Sequence, residues 1–330
     1  MKEMSEDQYI DSMIDILKTK LEKDYKSGET KRDAHPKSLG LLKARFIVTG
    51  NLPKALRVGV FKEVRTYPAL IRISNSNPKV QGDNKKDVRG FAIKLLGVEG
   101  KKFIDDEKNT QDFLLVSTKT MPIGTVKLFH DALYYNLKVN PLVYVCKTIA
   151  QGNLSKLKEV VLSRKHHTSP LDICYHSTTP YVFGQEVVKY CIVPRSTYKS
   201  EFPKNLTESY LSDNMKKHLS LDEARFDFMI QLKKHNMPVE DASVQWSEEQ
   251  SPFIKVGEII IEKQNFDTME RKYLSENMSF TPGHSLLEHK PIGGLNRARV
   301  KIYRELSLFR HKRNNKSLFE PTIDDFNNLT

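Results

Sequence analysis

Short runs in which apolar and polar side chains alternate constrain the fold more than any other feature of this sequence. Three such runs occupy residues 42–48, 69–73 and 89–96. Alternation with a period of two indicates strands that bury one face. Residues that favour turns separate the runs, at positions 50–51, 75–78 and 82–83. Strands joined at this hairpin-scale spacing predict an antiparallel sheet or barrel.

The remaining elements make the expected fold class α+β. Further strands are indicated over residues 113–116, 179–193 and 252–262, with 222–234 between the last two. Apolar residues at helical spacing predict helices over 5–25, 126–150 and 297–311. Ser5 and Asn296 are the expected N-caps of the first and last of these helices.

One domain is expected rather than two, because the sequence has no repeat and no long linker. Residues 1–26 form an amphipathic helix whose mixed charges favour packing on the protein body over a membrane surface. Residues 27–311 form the domain itself. The polar residues 312–330 form a tail that we expect to be loose at its end.

The composition excludes several classes of protein. The 16 Phe and 13 Tyr residues spread along 330 positions argue against disorder. Only three cysteines are present, too few for a disulfide scaffold and without zinc-site spacing. No segment is apolar enough to span a bilayer, and residues 1–24 lack the apolar core of a secretory signal. These features predict a protein of the reducing cytoplasm.

The formal net charge of +12 is compatible with nucleic acid, an anionic membrane surface or an anionic small ligand as partner. No pattern of interleaved basic and aromatic residues typical of a nucleic-acid fold is present, so nucleic acid is not expected. Peripheral membrane association stays open, and so does the choice between a monomer and a homodimer.

Two places in the sequence carry residues that could take part in catalysis or ligand binding. Arg32 precedes His35 by three residues, so the two share a face if this turn is helical. His35 could equally be structural. In the last predicted helix Arg299, Tyr303 and Arg310 share one face. A guanidinium beside a phenol favours the phenolate, a strong ligand of ferric iron. The alternative is a basic surface helix with one inward-packed tyrosine.

Seven segments, in this order, resemble the haem catalase superfamily, and in particular its short catalase-related members. These include peroxidases and the allene oxide synthase domain of coral. The segment DVRGFAIK at 87–94 is similar to the RGFAVKF motif almost letter for letter. The other six are RDAHPKSLG at 32–40, ALIRIS at 69–74, NTQDF at 109–113, a Trp-to-Gly strand at 245–257, NMSFTPG at 277–283 and R-x-x-x-Y-x6-R at 299–310.

The resemblance implies a catalase-like antiparallel β-barrel with flanking helices and haem b as cofactor. Tyr303 would be the proximal ligand of the iron, as in catalases, and Arg299 would keep it ionised. His35 would be the distal acid and base, with Ser74 orienting it and Asn109 bonding the peroxide. The haem-binding residues would further include Arg32, Arg72 and Arg310, which would pair with the propionates, and Phe113 as a wall of the pocket. Phe113 is equally explained by core packing.

The implied activity is that of a haem oxidoreductase, a peroxidase or weak catalase acting on hydrogen peroxide and organic hydroperoxides. An alternative is conversion of fatty-acid hydroperoxides, as by an allene oxide synthase or hydroperoxide lyase. The residue before His35 is Ala34, whereas the position that it resembles holds Val in catalases and Thr in the coral enzyme. Ala34 therefore does not distinguish between the two activities. A second alternative is a non-enzymatic basic module that binds an anion or a lipid.

Overall fold

The computed structural model describes residues 4–329. Its nine strands are β1 (Ser38–Val48), β2 (Thr66–Asn75), β3 (Arg89–Leu96), β4 (Thr110–Val116), β5 (Tyr175–His176), β6 (Tyr181–Phe183), β7 (Glu186–Pro194), β8 (Ala224–Leu232) and β9 (Ile254–Ile261). They pair in the order β5-β4-β3-β2-β1-β9-β8-β7-β6, and β5 also pairs with β7. Eight antiparallel strands therefore close into a barrel, with β6 attached to β7, as the alternating runs predict.

Aromatic side chains fill the interior of the barrel. Phe46 of β1 lies in ring contact with Phe61, Phe113 and Phe228, and Tyr190 also contacts Phe113. All five are buried, and burying each apolar ring contributes about 1.5–3 kcal/mol. Phe113 thus points into the barrel core, which corrects the expectation that it lines a cofactor pocket.

The opposite face of β2, β3 and β4 points out of the barrel and is unusually polar. Alternation along β2 places Ile71 and Ile73 inside, so Arg72 and Ser74 lie outside. Along β3, Phe91 and Ile93 are inside in the same way. Candidate functional residues therefore lie on the outer face of this sheet.

Eight α-helices surround the barrel in the described part of the chain. They are α1 (Glu6–Asp24), α2 (Val126–Tyr134), α3 (Pro141–Ala150), α4 (Leu154–Leu162), α5 (Tyr210–Leu221), α6 (Met269–Asn277), α7 (Gly294–Arg313) and α8 (Ile323–Asn328), with a π-helical turn at Tyr135–Val139. None of the helices within residues 4–329 has the length and apolarity needed to cross a bilayer.

The N-terminal helix packs on the protein body. Ser5 caps α1 through a capping box with Gln8, as its position before the apolar pattern predicts. Ile10, Met13 and Leu17 of α1 share an apolar cluster with α2 and α7. The amphipathic pattern of this helix is therefore satisfied within the protein.

Two expectations about the C-terminal region were wrong. The helix α7 begins two residues before Asn296, because Gly293 is its N-cap with a φ of 85°. Asn296 is instead buried inside the first turn. The tail is not loose, since Phe326 and Leu329 join an apolar cluster that covers Leu41 on the outer face of the sheet. Because the tail is mostly polar, its sequence did not indicate these few apolar contacts.

Candidate functional site

The loop before β1 holds His35 in a fixed position on the outer face of the barrel. Its φ of 59° lies in the left-handed region, which is uncommon for a residue other than glycine. The Nδ1 atom of His35 lies 3.0 Å from the Oγ atom of Ser74. Arg72 donates a hydrogen bond to the carbonyl oxygen of His35 at 2.9 Å. The structure thus brings His35 together with Ser74 and Arg72, both on β2.

Gly90 makes room for the imidazole. A Cβ atom placed on Gly90 would lie 2.6 Å from the Nδ1 atom of His35 and 2.8 Å from the Oγ atom of Ser74, closer than atoms in contact can approach. Glycine at the second position of the RGFA segment therefore allows the imidazole to approach the backbone of β3 closely.

The surroundings of His35 favour its neutral form. Burial, together with the charges of Arg72, Arg299 and Arg32, lowers the pKa of His35 to about 4, against an opposing effect of Asp87. A neutral imidazole at physiological pH has a free lone pair and can accept a proton. His35 is therefore suited to move a proton between two atoms of a bound molecule.

Three arginines converge beside this loop with one carboxylate between them. The side chain of Glu276, on α6, lies 3.4 Å from Arg32 and 3.7 Å from Arg310. Arg310 also donates to the carbonyl oxygen of Glu276. Burial and the charge of Arg32 lower the pKa of Arg72 well below its usual range, and they lower that of Arg310 to about 9. We call Arg32, Arg72, Arg310 and Glu276 the arginine cluster.

The helix α7 carries Arg299 and Tyr303 one turn apart. The guanidinium carbon of Arg299 lies 5.5 Å from the centre of the Tyr303 ring. Arg299 donates to the Oγ1 atom of Thr179 at 2.9 Å and to the Oδ1 atom of Asn296 at 3.1 Å. Burial lowers the pKa of Arg299, but the nearby tyrosines, Tyr303 first, outweigh it and raise it. Thr179 was not anticipated as a partner of Arg299, since it lies 120 residues away in the sequence. Asn296, which precedes Arg299 by three residues on α7, has a spacing that could have indicated the contact.

Arg299 connects the two halves of the site. Its charge helps to lower the pKa of His35, and Tyr303 in turn helps to raise the pKa of Arg299. The distal and proximal candidates of the sequence analysis therefore lie within electrostatic reach of one guanidinium.

Asn109 lies outside this site. Its side chain is exposed, and its backbone N–H donates to Glu320 of the C-terminal tail. It adjoins Thr110, which pairs with Leu96 at one end of the β3–β4 hairpin, whereas Gly90 and His35 lie at the other. Six strand residues separate these ends, about 20 Å. The match of letters in NTQDF placed the amide at the wrong end of the hairpin.

Apolar side chains occupy the strand surface beside His35. Gly90 pairs with Val116 and Ala92 pairs with Leu114 across β3 and β4. Ala92, Leu114 and Val116 are all partly exposed although their neighbours in sequence are buried. The surface next to the imidazole is therefore an apolar floor rather than a row of hydrogen-bond donors.

A second group of charged residues lies farther along the same strands. The Nζ atom of Lys94 lies 2.7 Å from the Oδ1 atom of Asp112 and also contacts Glu107 and His284. All four are buried, and we call them the lysine cluster. Glu107, Asp112 and His284 could in principle hold a metal ion, but the ammonium of Lys94 fills the space between them. Sequence reasoning missed this cluster.

A cavity of about 180 Å³ joins the lysine cluster to the tyrosine. Tyr303 and Ser307 of α7 form one side, and Phe280 and His284 form another. Leu318 of the C-terminal tail closes part of its rim. Tyr303 thus faces open space, as a ligand-binding tyrosine requires.

No protein-family model matches the sequence, and no curated protein matches it. Solved structures do match. A fungal catalase superposes with a TM-score of 0.68 at 16% identity over 87% of this chain and 60% of its own. A bacterial catalase gives 0.67 at 14% identity over 88% and 60%. Catalase A from Saccharomyces cerevisiae gives 0.68 at 16% identity over 88% and 65%. The chain thus spans 60 to 65% of the length of these catalases, and its fold is catalase-like.

Proposed function

We propose that this protein is a haem-dependent oxidoreductase that processes peroxides, as a peroxidase or weak catalase acting on hydrogen peroxide and organic hydroperoxides. The observation that carries the proposal is His35, bonded to Ser74 and held neutral by burial and nearby arginines that include Arg299, the partner of Tyr303. The catalase-like fold supports it. The activity, the cofactor and the substrate are all part of the proposal.

The arginine cluster fits the carboxylates of a haem. Three largely buried guanidiniums lie around the single carboxylate of Glu276. Burial lowers the pKa of all three, and the charge of Arg32 lowers those of Arg72 and Arg310 further. An anionic group placed there would relieve the repulsion between these guanidiniums, and guanidinium forks match carboxylates in geometry. Arg32, Arg72 and Arg310 would therefore hold the propionates.

Tyr303 would hold the iron through its phenolic oxygen. Arg299 lies beside the ring of Tyr303, and Thr179 and Asn296 fix the direction of its guanidinium. The bound haem would supply the redox chemistry of O–O cleavage. The chain itself would contribute the ligand and the charge beside it.

His35 would move the proton during peroxide cleavage. Its neutral imidazole accepts the proton from one peroxide oxygen and returns it to the other. Ser74 holds the ring through Nδ1, which leaves Nε2 as the atom that faces the substrate. Asn109 would not bond the same peroxide as His35, because it lies at the far end of the hairpin.

The test is reconstitution of the purified protein with hemin. We expect a high-spin ferric Soret band that shifts or collapses in Tyr303→Phe, and peroxide consumption that falls about 10²- to 10⁴-fold in His35→Gln. Tyr273→Phe is a matched control, since Tyr273 is a 59% exposed tyrosine on α6. If this protein binds hemin no more tightly than an unrelated basic protein does, the haem proposal fails. A non-enzymatic anion-binding module would then be the better description.

The apolar floor favours a second candidate, conversion of a fatty-acid hydroperoxide by an allene oxide synthase or lyase reaction. Ala92, Leu114 and Val116 offer apolar contact beside His35. Product analysis with a polyunsaturated fatty-acid hydroperoxide separates the two. Epoxide or ketol products support this second candidate, whereas reduction to the alcohol with an electron donor supports the peroxidase.

A further inference from the structure

Each of the helices α3 and α4 exposes large apolar side chains along one of its sides. Leu142, Val145 and Ile149 follow one face of α3 at helical spacing. Leu154, Val161 and Leu162 do the same on α4. Leu142 is 71% exposed and Val161 is 69% exposed. We call these six residues the apolar hairpin face.

The opposite sides of the two helices attach them to the rest of the protein. Tyr144 and Thr148 of α3 and Leu157 and Val160 of α4 surround a small cavity against Leu128 of α2. The helix α3 packs mainly on α4 and on the preceding π-helical turn. The hairpin therefore keeps its place without the apolar hairpin face, which is free to meet a partner.

Positive charge surrounds this face. Residues 134–165 include six basic side chains and one acidic side chain, Glu159. Lys147 pairs with Asp131 at 3.0 Å. The other ion pairs of residues 4–329 do not involve Lys138, Lys158 or the remaining basic residues of this segment. Lys158 lies between Leu154 and Val161 on the exposed side of α4.

We propose that the α3–α4 hairpin docks on the surface of an anionic phospholipid bilayer. Helices with apolar residues on one side and lysines beside them lie in the membrane interface, where the aliphatic side chains enter the acyl boundary. The lysine stems follow the apolar face while their ammonium groups reach the headgroups. This proposal does not depend on haem.

Charge selects the bilayer over a second copy of the chain. A symmetric dimer through this face would place the same surplus of lysines on both sides of the contact. Like charges would then repel with few acidic groups to balance them. An anionic headgroup layer supplies the missing opposite charge, so the observed combination fits a lipid surface.

The test is cosedimentation of the full-length protein with vesicles. Vesicles of phosphatidylcholine mixed with phosphatidylserine should sediment the protein, and phosphatidylcholine alone should do so much less. The bound fraction should fall as salt is raised. In the double variant Leu142→Glu/Val161→Glu the partition coefficient should fall at least about tenfold. Lys158→Glu should weaken binding less, by about fivefold.

Val64→Glu is the matched control, because Val64 is also 69% exposed but lies outside the hairpin. Equal vesicle binding by the wild type and the double variant would overturn the proposal. So would an equal loss in Val64→Glu. A dimer in sedimentation equilibrium that the double variant dissociates, with no vesicle binding, would instead identify the face as a contact between copies. If the double variant does not fold, Lys158→Glu decides alone, and unchanged binding then overturns the proposal.

Discussion

The lysine cluster is buried on the outer face of β2, β3 and β4, whereas the arginine cluster beside it keeps Arg32 and Glu276 partly exposed, and the two clusters also differ in charge balance. In the lysine cluster the ammonium of Lys94 meets the carboxylates of Asp112 and Glu107. Although burial lowers the pKa of Lys94, these carboxylates outweigh it and raise it. In the arginine cluster three guanidiniums share Glu276 alone.

The difference indicates what each cluster is for. A buried charge set that balances itself needs nothing from outside and holds the chain together. Asp112 accepts the backbone N–H of Thr281 at 3.0 Å, so the lysine cluster ties the loop after α6 to β4. A cluster with a surplus of one charge can still bind a ligand of the opposite charge. The arginine cluster, which has this surplus, is therefore the part of the site that such a ligand would stabilise most.

The largest expected effect separates the two clusters by stability. Asp112→Ala leaves Lys94 buried with one carboxylate fewer, and we expect it to lower the free energy of unfolding by about 3–5 kcal/mol. Urea unfolding followed by circular dichroism measures this. Adding Lys94→Met to Asp112→Ala should recover part of the loss, because the uncompensated charge is then gone.

Glu248→Ala is the control for that substitution. Glu248 pairs with Lys119 at 2.7 Å, but both side chains are about half exposed, so the loss should be no more than about 1 kcal/mol. Equal losses in Asp112→Ala and Glu248→Ala would mean that the lysine cluster contributes no more than a surface ion pair.

A smaller effect should appear in the pH dependence of stability. The pKa of His35 is about 4 in the folded protein, whereas the ordinary pKa of a histidine is 6.5, so the unfolded chain binds the proton first as the pH falls. Stability is therefore lost between pH 6.5 and pH 4, by about 2 kcal/mol for this one group between pH 7 and pH 5. His35→Gln should lose less stability over that interval. A wild type and variant with the same pH dependence would show that His35 is not held neutral.

Sequence reasoning recovered the barrel because alternation in β1, β2 and β3 records burial directly. It also recovered His35, Ser74 and Tyr303 as neighbours of charged partners, since the resemblance carries their order. It failed where a residue's place depends on register. Asn109 has the right neighbours in sequence, but the pairing of Thr110 with Leu96 removes it from the site. The positions of Glu276 and of the lysine cluster depend on contacts between segments that are distant in the sequence, and no local sequence pattern indicates such contacts.

The smallest expected effect on stability belongs to the arginine cluster and is the sharpest test of the comparison. Arg310→Met removes a guanidinium whose pKa burial and Arg32 already lower to about 9. We expect the free energy of unfolding of the hemin-free protein to change by about 1 kcal/mol or less, because relief of repulsion offsets the lost contacts with Glu276.

The affinity for hemin, in contrast to the stability, should fall clearly in Arg310→Met. Loss of one charge-assisted bond to a carboxylate should weaken hemin binding about tenfold, measured by Soret titration. Arg313→Met is the matched control one turn along α7, since Arg313 contacts Thr30 and Tyr25 instead of Glu276, and it should leave hemin affinity unchanged. A large loss of stability with unchanged hemin affinity in Arg310→Met would show that the arginine cluster is structural like the lysine cluster. Surplus charge would then be no guide to a ligand in this fold.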